Sequence, residues 1–257
     1  MCTCYWCKWY SNCGYLFVYV NKKWIVNKRE IKDMSRGKLI VSALIKYCMG
    51  LLMVGLLLFL PAGTFDYWNA WLFICLLFVP MFLLGVILFM KSPQLLEKRL
   101  NSKEKESEQA IVVILSLFMF FGGFISCALD YRFGWSDMPV GVVGIAAVVQ
   151  LASYGLYGEV MRENAYLSRT VEIQEEQKVV DTGLYGVVRH PMYFSSVLLF
   201  LSMPLVLGSW IGFLIFLLYP ILLVKRIRNE EKVLEEGLPG YREYMQRVRY
   251  RMFPFIW

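Results

Sequence analysis

Histidine is nearly missing from this chain: 257 residues contain one, His190. None stands beside the cysteines, four of which (Cys2, Cys4, Cys7 and Cys13) crowd into CTCYWCKWYSNC, where the spacings fit no zinc pattern. No metal is therefore expected, and Cys48, Cys75 and Cys127, in apolar segments, read as packing residues. Charge is absent over long runs. The chain is 58% hydrophobic with a mean hydropathy of +0.51, and its apolar residues come in blocks instead of the short periodic stripes of a soluble domain. That composition describes a membrane protein. A net charge of +7 raises the question of nucleic acid, but the basic residues lie between the apolar blocks, as loop residues of a membrane protein do, so no nucleic-acid partner is expected.

Residues 1–33 differ from the rest, with six Lys/Arg against two acids, so that they supply +4 of the +7. Met34 then opens MSRGKLIVSALIKY, an ordinary basic start to a first membrane helix. Residues 1–33 read as an N-terminal extension with translation expected to begin at Met34. In a bacterial gene, Arg29-Glu30 would place purine-rich codons at ribosome-binding distance upstream.

Four blocks are long enough to cross a hydrocarbon core, which takes about 20 helical residues: Leu39 to Leu60, Trp68 to Met90, Ala110 to Leu129, and Met138 to Gly158. A fifth apolar region, Met192 to Val224, is interrupted by Pro204 and Gly208-Ser209 and predicts a hairpin of two helices of about 16 residues each. The fold class is thus an all-α integral membrane protein with four spanning helices and a C-terminal helical hairpin. It divides into a transmembrane region, 34–158, and a core, 159–257, made of loop, hairpin and tail.

Basic residues set the orientation. Lys91, Lys98, Arg99, Lys103 and Lys105 follow the second block, Arg162, Arg169, Lys178 and Arg189 follow the fourth, and eight more follow Val224, whereas the opposite side has only Arg132. The positive-inside rule places both termini, the 91–109 loop, the 159–190 segment and the tail in the cytoplasm, with a bacterial inner membrane as the expected location. The charged run 99–108, RLNSKEKESE, reads as a solvated loop. Segments 159–190 and 225–257 bracket the hairpin, whose two ends return them to one membrane face, so they can build one site.

In the first segment, DTGLYGVVRHPMYFSS (Asp181 to Ser196) combines a plausible turn with two glycines that permit close backbone approach and a proline suited to a first helical turn. The start of that helix offers N–H groups and a positive dipole end to a carboxylate or phosphate. In the second segment, Arg226 and Glu230 stand four apart and share a face if the helix continues, with Glu231 adjacent. A surface ion pair at a membrane exit is the plainer account of that spacing.

Taken together, Thr182-Gly183-Leu184-Tyr185, Arg189-His190-Pro191-Met192-Tyr193, the apolar hairpin, Arg226-Ile-Arg-Asn-Glu230-Glu231 and Gly240-Tyr241-Arg242-Glu243-Tyr244 resemble the C-terminal half of the isoprenylcysteine carboxyl methyltransferase family. The order is similar also to bacterial relatives of that family and, more distantly, to the phospholipid methyltransferases, and the resemblance covers about Asn164 to Pro254. It implies S-adenosyl-L-methionine bound in a cytoplasmic pocket made by the two polar segments. The implied cofactor contacts are Gln177, Lys178, Val179, Val180, Tyr185, His190, Pro191, Met192 and Tyr193, with Glu230 and Glu231 as carboxylate partners and Gln174 as a further match. Gln177 stands where the eukaryotic pattern has a histidine. Arg226 matches the arginine that faces the acceptor, and it and His190 are the implied catalytic residues.

Such a cofactor carries a sulfonium, an ammonium, a carboxylate, a ribose diol and an adenine, so a low-dielectric site must supply both signs of charge and flat walls. Glutamates can pair with the ammonium, helix N–H groups or Arg189 with the carboxylate, and Tyr185 and Tyr193 can wall the rings. Positioning and electrostatics can carry methyl transfer without a separate acid–base dyad. His190 has two readings, a cap that holds the turn or a contact to the cofactor, with general base a further role. The acceptor is expected to be lipophilic or amphipathic, entering from the bilayer. Two other readings stay open: an NADPH-dependent sterol- or steroid-reductase-like enzyme, for which Arg226 and Arg228 would hold the 2′-phosphate, and a non-catalytic membrane protein on the same scaffold.

Overall fold

The computed structural model describes residues 36–100, 107–164, 166 and 177–257; the cysteine-rich extension and Gln174 lie outside them. The chain divides into two compact units, Met1–Val41 and Ser42–Trp257, and the site lies wholly within the second. The described residues form helices α1 (Arg36–Ala62), α2 (Trp68–Lys91), α3 (Pro93–Leu100), α4 (Ser107–Phe133) and α5 (Val140–Glu163). A short 3-10 turn, Gly183–Gly186, precedes α6 (Pro191–Val206), α7 (Trp210–Phe216), α8 (Leu218–Gly237) and α9 (Tyr241–Arg247). No strand occurs among the described residues.

Among the described residues, five segments are long and apolar enough to cross a membrane: Arg36–Ala62, Trp68–Lys91, Ile114–Phe133, Val140–Glu163 and Trp210–Gly237. This is a multi-pass membrane protein. The four expected spans are all helical, and the hairpin is present with a first arm of 16 residues. Its second arm is longer than the apolar block suggests. The apolar residues end at Val224, yet helix continues through KRIRNEEKVLEEG because that stretch is rich in helix-forming Lys, Arg, Glu and Leu. Leu238-Pro239-Gly240 then stops it, with Gly240 at φ 84°. Near the start of this arm, Pro220 would press its ring on the carbonyl four residues back, at Phe216, and there α7 gives way to α8.

At the hairpin's reversal, Gly208 takes φ 80°, and Ser209 caps α7 by accepting from Gly212 N at 2.9 Å. The carbonyls exposed by the turn find donors on other helices: Tyr67 Oη donates to Leu207 O at 2.6 Å and Asn69 Nδ2 to Val206 O at 2.8 Å. Buried Asp130 accepts from Ser136 N (2.7 Å), Ser136 Oγ (2.6 Å) and Ser209 Oγ. A turn among apolar helices needs such partners, since lipid supplies none. Below it, α6 packs most extensively on α5, while α7 and α8 lie against α4. Phe120, Phe124, Phe200, Phe216 and Tyr219 interlock edge to face and tilted at the α4, α6, α7 and α8 contacts. This packing brings the C-terminal end of α5, the N-terminal end of α6 and the C-terminal end of α8 to one end of the bundle.

Candidate functional site

A cleft opens where those three helix ends meet the 177–190 loop and α9. The loop contributes Gln177, Lys178, Val179, Val180 and Tyr185, the start of α6 contributes His190, Met192 and Tyr193, and α8 contributes Arg226, Glu230 and Leu234. All of these but Leu234 were singled out from the sequence. Asn164, Tyr166, Arg189, Leu238, Tyr241 and Tyr244 complete the wall.

Hydrogen bonds pin the loop over the cleft. Leu184 N donates to Glu163 Oε2 at 3.0 Å, Asn164 Nδ2 to the Tyr185 hydroxyl at 3.0 Å, and the Tyr244 hydroxyl to Tyr185 O at 2.8 Å. Arg247 adds an ion pair to Asp181 at 2.8 Å. Gly183 takes φ 52°, a left-handed conformation that suits glycine, and a Cβ there would run into the Glu163 carboxylate.

The two adjacent glutamates are separated by helix geometry. Successive residues on a helix point about 100° apart, so Glu230 follows Arg226 onto the cleft face while Glu231 follows Leu223 and Ile227 into the interior. Glu231 is 5% exposed and does not line the cleft. Its Oε1 accepts from Arg189 Nε at 2.7 Å and lies 3.3 Å from His190 Nε2, and its Oε2 accepts from Arg251 Nε at 2.7 Å. Arg189 Nη1 donates to the carbonyls of Val248 (3.0 Å), Arg249 (3.2 Å) and Met245 (3.5 Å), closing the end of α9. Two backbone bonds, Arg189 N to Tyr250 O (2.9 Å) and His190 N to Arg251 O (2.7 Å), bind the tail to the start of α6. Glu231 and Arg189 together therefore tie α6, α8, α9 and the tail into one unit.

On the cleft side, the Tyr193 hydroxyl stands between the charged pair, accepting from Arg226 Nε at 2.9 Å and donating to Glu230 Oε2 at 2.5 Å. Glu230 Oε1 has no hydrogen-bond partner among the described residues. His190 caps α6 through its backbone: Tyr193 N and Phe194 N donate to its carbonyl at 3.1 and 3.2 Å, with Pro191 buried at the first helical position and off the cleft wall. The His190 ring, 5% exposed, faces both Glu231 and the cleft, tilted over Tyr193 with centroids 5.6 Å apart. Burial, followed by the field of the Glu231 and Glu230 carboxylates, pushes the Tyr241 phenol above its ordinary range, and burial does the same for Tyr244. Both remain neutral.

Opposite charges, neutral phenols and apolar side chains thus converge at the end of a helical membrane bundle, an arrangement suited to an amphipathic ligand carrying charge. Comparison with known proteins makes the class more specific: residues 139–239, from the start of α5 to the end of α8, match the family model for phospholipid methyltransferase. This bears out the resemblance read from the motifs, that of a membrane methyltransferase. Delta(14)-sterol reductase TM7SF2 of Mus musculus is 30% identical over 91 residues, which cover 34% of this chain and 22% of that protein. The chain spans about a fifth of the length of that curated relative.

Proposed function

We propose that the chain is an S-adenosylmethionine-dependent methyltransferase acting on a lipophilic or amphipathic acceptor: a carboxylate, thiol, amine or phospholipid head group. The observation that carries the proposal is the cleft itself, where Glu230 has an oxygen with no partner among the described residues, one helical turn from Arg226, inside the segment that matches a methyltransferase family. The donor set fits the cofactor. Glu230 supplies a carboxylate, the buried Tyr241 hydroxyl has no partner among the described residues, and Tyr185, Tyr193 and Val179 supply ring and aliphatic walls. Bound there, S-adenosylmethionine would supply an already activated methyl group, so the protein need only position an acceptor and exclude water. Arg226 would orient the acceptor's polar head, with the Tyr193 hydroxyl fixing its guanidinium, and His190 would close the wall beside Glu231. Glu231 itself would act through Arg189 and His190, as a positioning residue.

The basic residues at the cleft end of the helices support a cytoplasmic site with cofactor entry from that side. The core would be residues 159–257, within which Glu163 and Asn164 hold the cleft loop. The sterol reductase relative sustains a second reading, an NADPH enzyme. Arg228, exposed and off the cleft wall, is poorly placed to help Arg226 with a 2′-phosphate. Titrating the detergent-purified chain with S-adenosylhomocysteine and with NADPH separates the readings. Saturable binding of the first alone is expected; binding of NADPH alone would replace this function with the reductase, and binding of neither would leave a scaffold.

A further inference from the structure

Among the described residues, three have buried side-chain polar atoms without a hydrogen-bond partner: Gln150, Asn229 and Tyr241. Of these, Tyr241 lines the cleft. Its ring is 4% exposed and is held among Leu238, Tyr244 and Val248, so the hydroxyl has a fixed direction without being bonded to anything. A buried hydroxyl left this way costs stability, and a ligand atom that meets it recovers that cost. Glu230 lines the same cleft, and its Oε1 has no hydrogen-bond partner among the described residues. The phenol, raised by burial and by the two carboxylates, keeps its proton and is therefore a donor.

A neutral donor sharing a cleft with a carboxylate acceptor is selective. An ammonium has only donors and would leave the Tyr241 proton unmet, whereas a carboxylate or phosphate has only acceptors and would meet the charge of Glu230. Two neighbouring hydroxyls satisfy both groups. We propose that Glu230 Oε1 and Tyr241 Oη together hold a vicinal diol, the ribose diol of an adenosyl cofactor, with Glu230 accepting from one hydroxyl and Tyr241 donating to the other. This rests on the methyltransferase reading, and it leaves the ammonium to other groups.

The test measures affinities of S-adenosylhomocysteine and its 2′-deoxy and 3′-deoxy analogues for the full chain in detergent and for Tyr241→Phe, with melting temperatures alongside. Wild-type protein should bind each deoxy analogue about tenfold more weakly than the parent, the worth of one well-made hydrogen bond. Tyr241→Phe should lose about tenfold for the parent and for one analogue, and less than about twofold for the analogue that lacks the hydroxyl Tyr241 meets. Its melting temperature should not fall, since the hydroxyl has no partner among the described residues. Equal losses on all three ligands, an unchanged affinity for the parent, or a marked drop in melting temperature would each overturn the diol assignment. Failure of the methyltransferase reading is distinguishable, because it shows as no binding of S-adenosylhomocysteine to the wild-type chain.

Discussion

Replacing Glu231 by alanine should unfold the site, and replacing its neighbour Glu230 should weaken ligand binding with the fold kept. Glu231 and Arg189 are each 7% exposed in their side chains and 2.7 Å apart, so deleting the carboxylate leaves a buried guanidinium without its counter-charge. Such deletions cost about 3–5 kcal/mol. The lower end applies, because Arg189 Nη1 retains three carbonyl acceptors. Arg251, 34% exposed and 5.3 Å over the Trp257 ring, adds at most about 1 kcal/mol, since a partly solvated pair is screened. The expected loss is about 3–4 kcal/mol, or roughly 6–16 °C in melting temperature for a chain of this size. Glu230→Ala removes one hydrogen bond to Tyr193 on a half-buried face and should shift melting by no more than about 3 °C, while weakening the binding of S-adenosylhomocysteine at least about tenfold. Intrinsic fluorescence of the eight tryptophans during heating reads the first effect, and calorimetric titration reads the second. If Glu231→Ala melts like the wild type, or Glu230→Ala binds like it, the division of labour between the two carboxylates is refuted.

Gly123→Ala should destabilise the bundle by about 1–3 kcal/mol, because the added methyl overlaps the fully buried Phe216 ring, whose Cδ2 lies 2.9 Å from it; a melting temperature equal to wild type would contradict the close α4–α7 contact. Alkaline pH should weaken the fold through Tyr241 and Tyr244, whose native phenols titrate above the ordinary value of 10.0. The native state then holds protons that the unfolded state has released, so stability is level below about pH 10 and falls above it by up to about 1.4 kcal/mol per pH unit per tyrosine. Stability measured against pH should flatten in the Tyr241→Phe, Tyr244→Phe double variant, and an unchanged slope would remove the two phenols as its cause.

The spans were legible because length and apolarity are sufficient to define them: Leu39 to Leu60 and Trp68 to Met90 match their helices to within a few residues. The extent of α8 was less so, since hydropathy marks where lipid ends and not where helix ends. The choice between Glu230 and Glu231 was present in the pattern and needed the helix to be assumed. Four residues before Glu231 stands apolar Ile227, and four before Glu230 stands Arg226, so only one of the two carboxylates could face a polar cleft. Tyr241 could not be found this way. It lies beyond the Leu238-Pro239-Gly240 break, and only tertiary packing brings it to a site built by the helix before that break.

The cleft draws its walls from stretches that are distant in the chain, and apolar packing alone would let them slide against one another. Directional bonds prevent this. Arg189 meets Glu231 through one donor and three carbonyls through another, and the backbone N–H groups of residues 189 and 190 are fixed to carbonyls 250 and 251, so a one-residue shift of the tail would break every contact at once. His190 belongs to that lock by its backbone and faces the cleft by its ring. Holding the turn and touching the ligand are therefore compatible roles, and a substitution that retains the backbone, such as His190→Asn, isolates the second from the first.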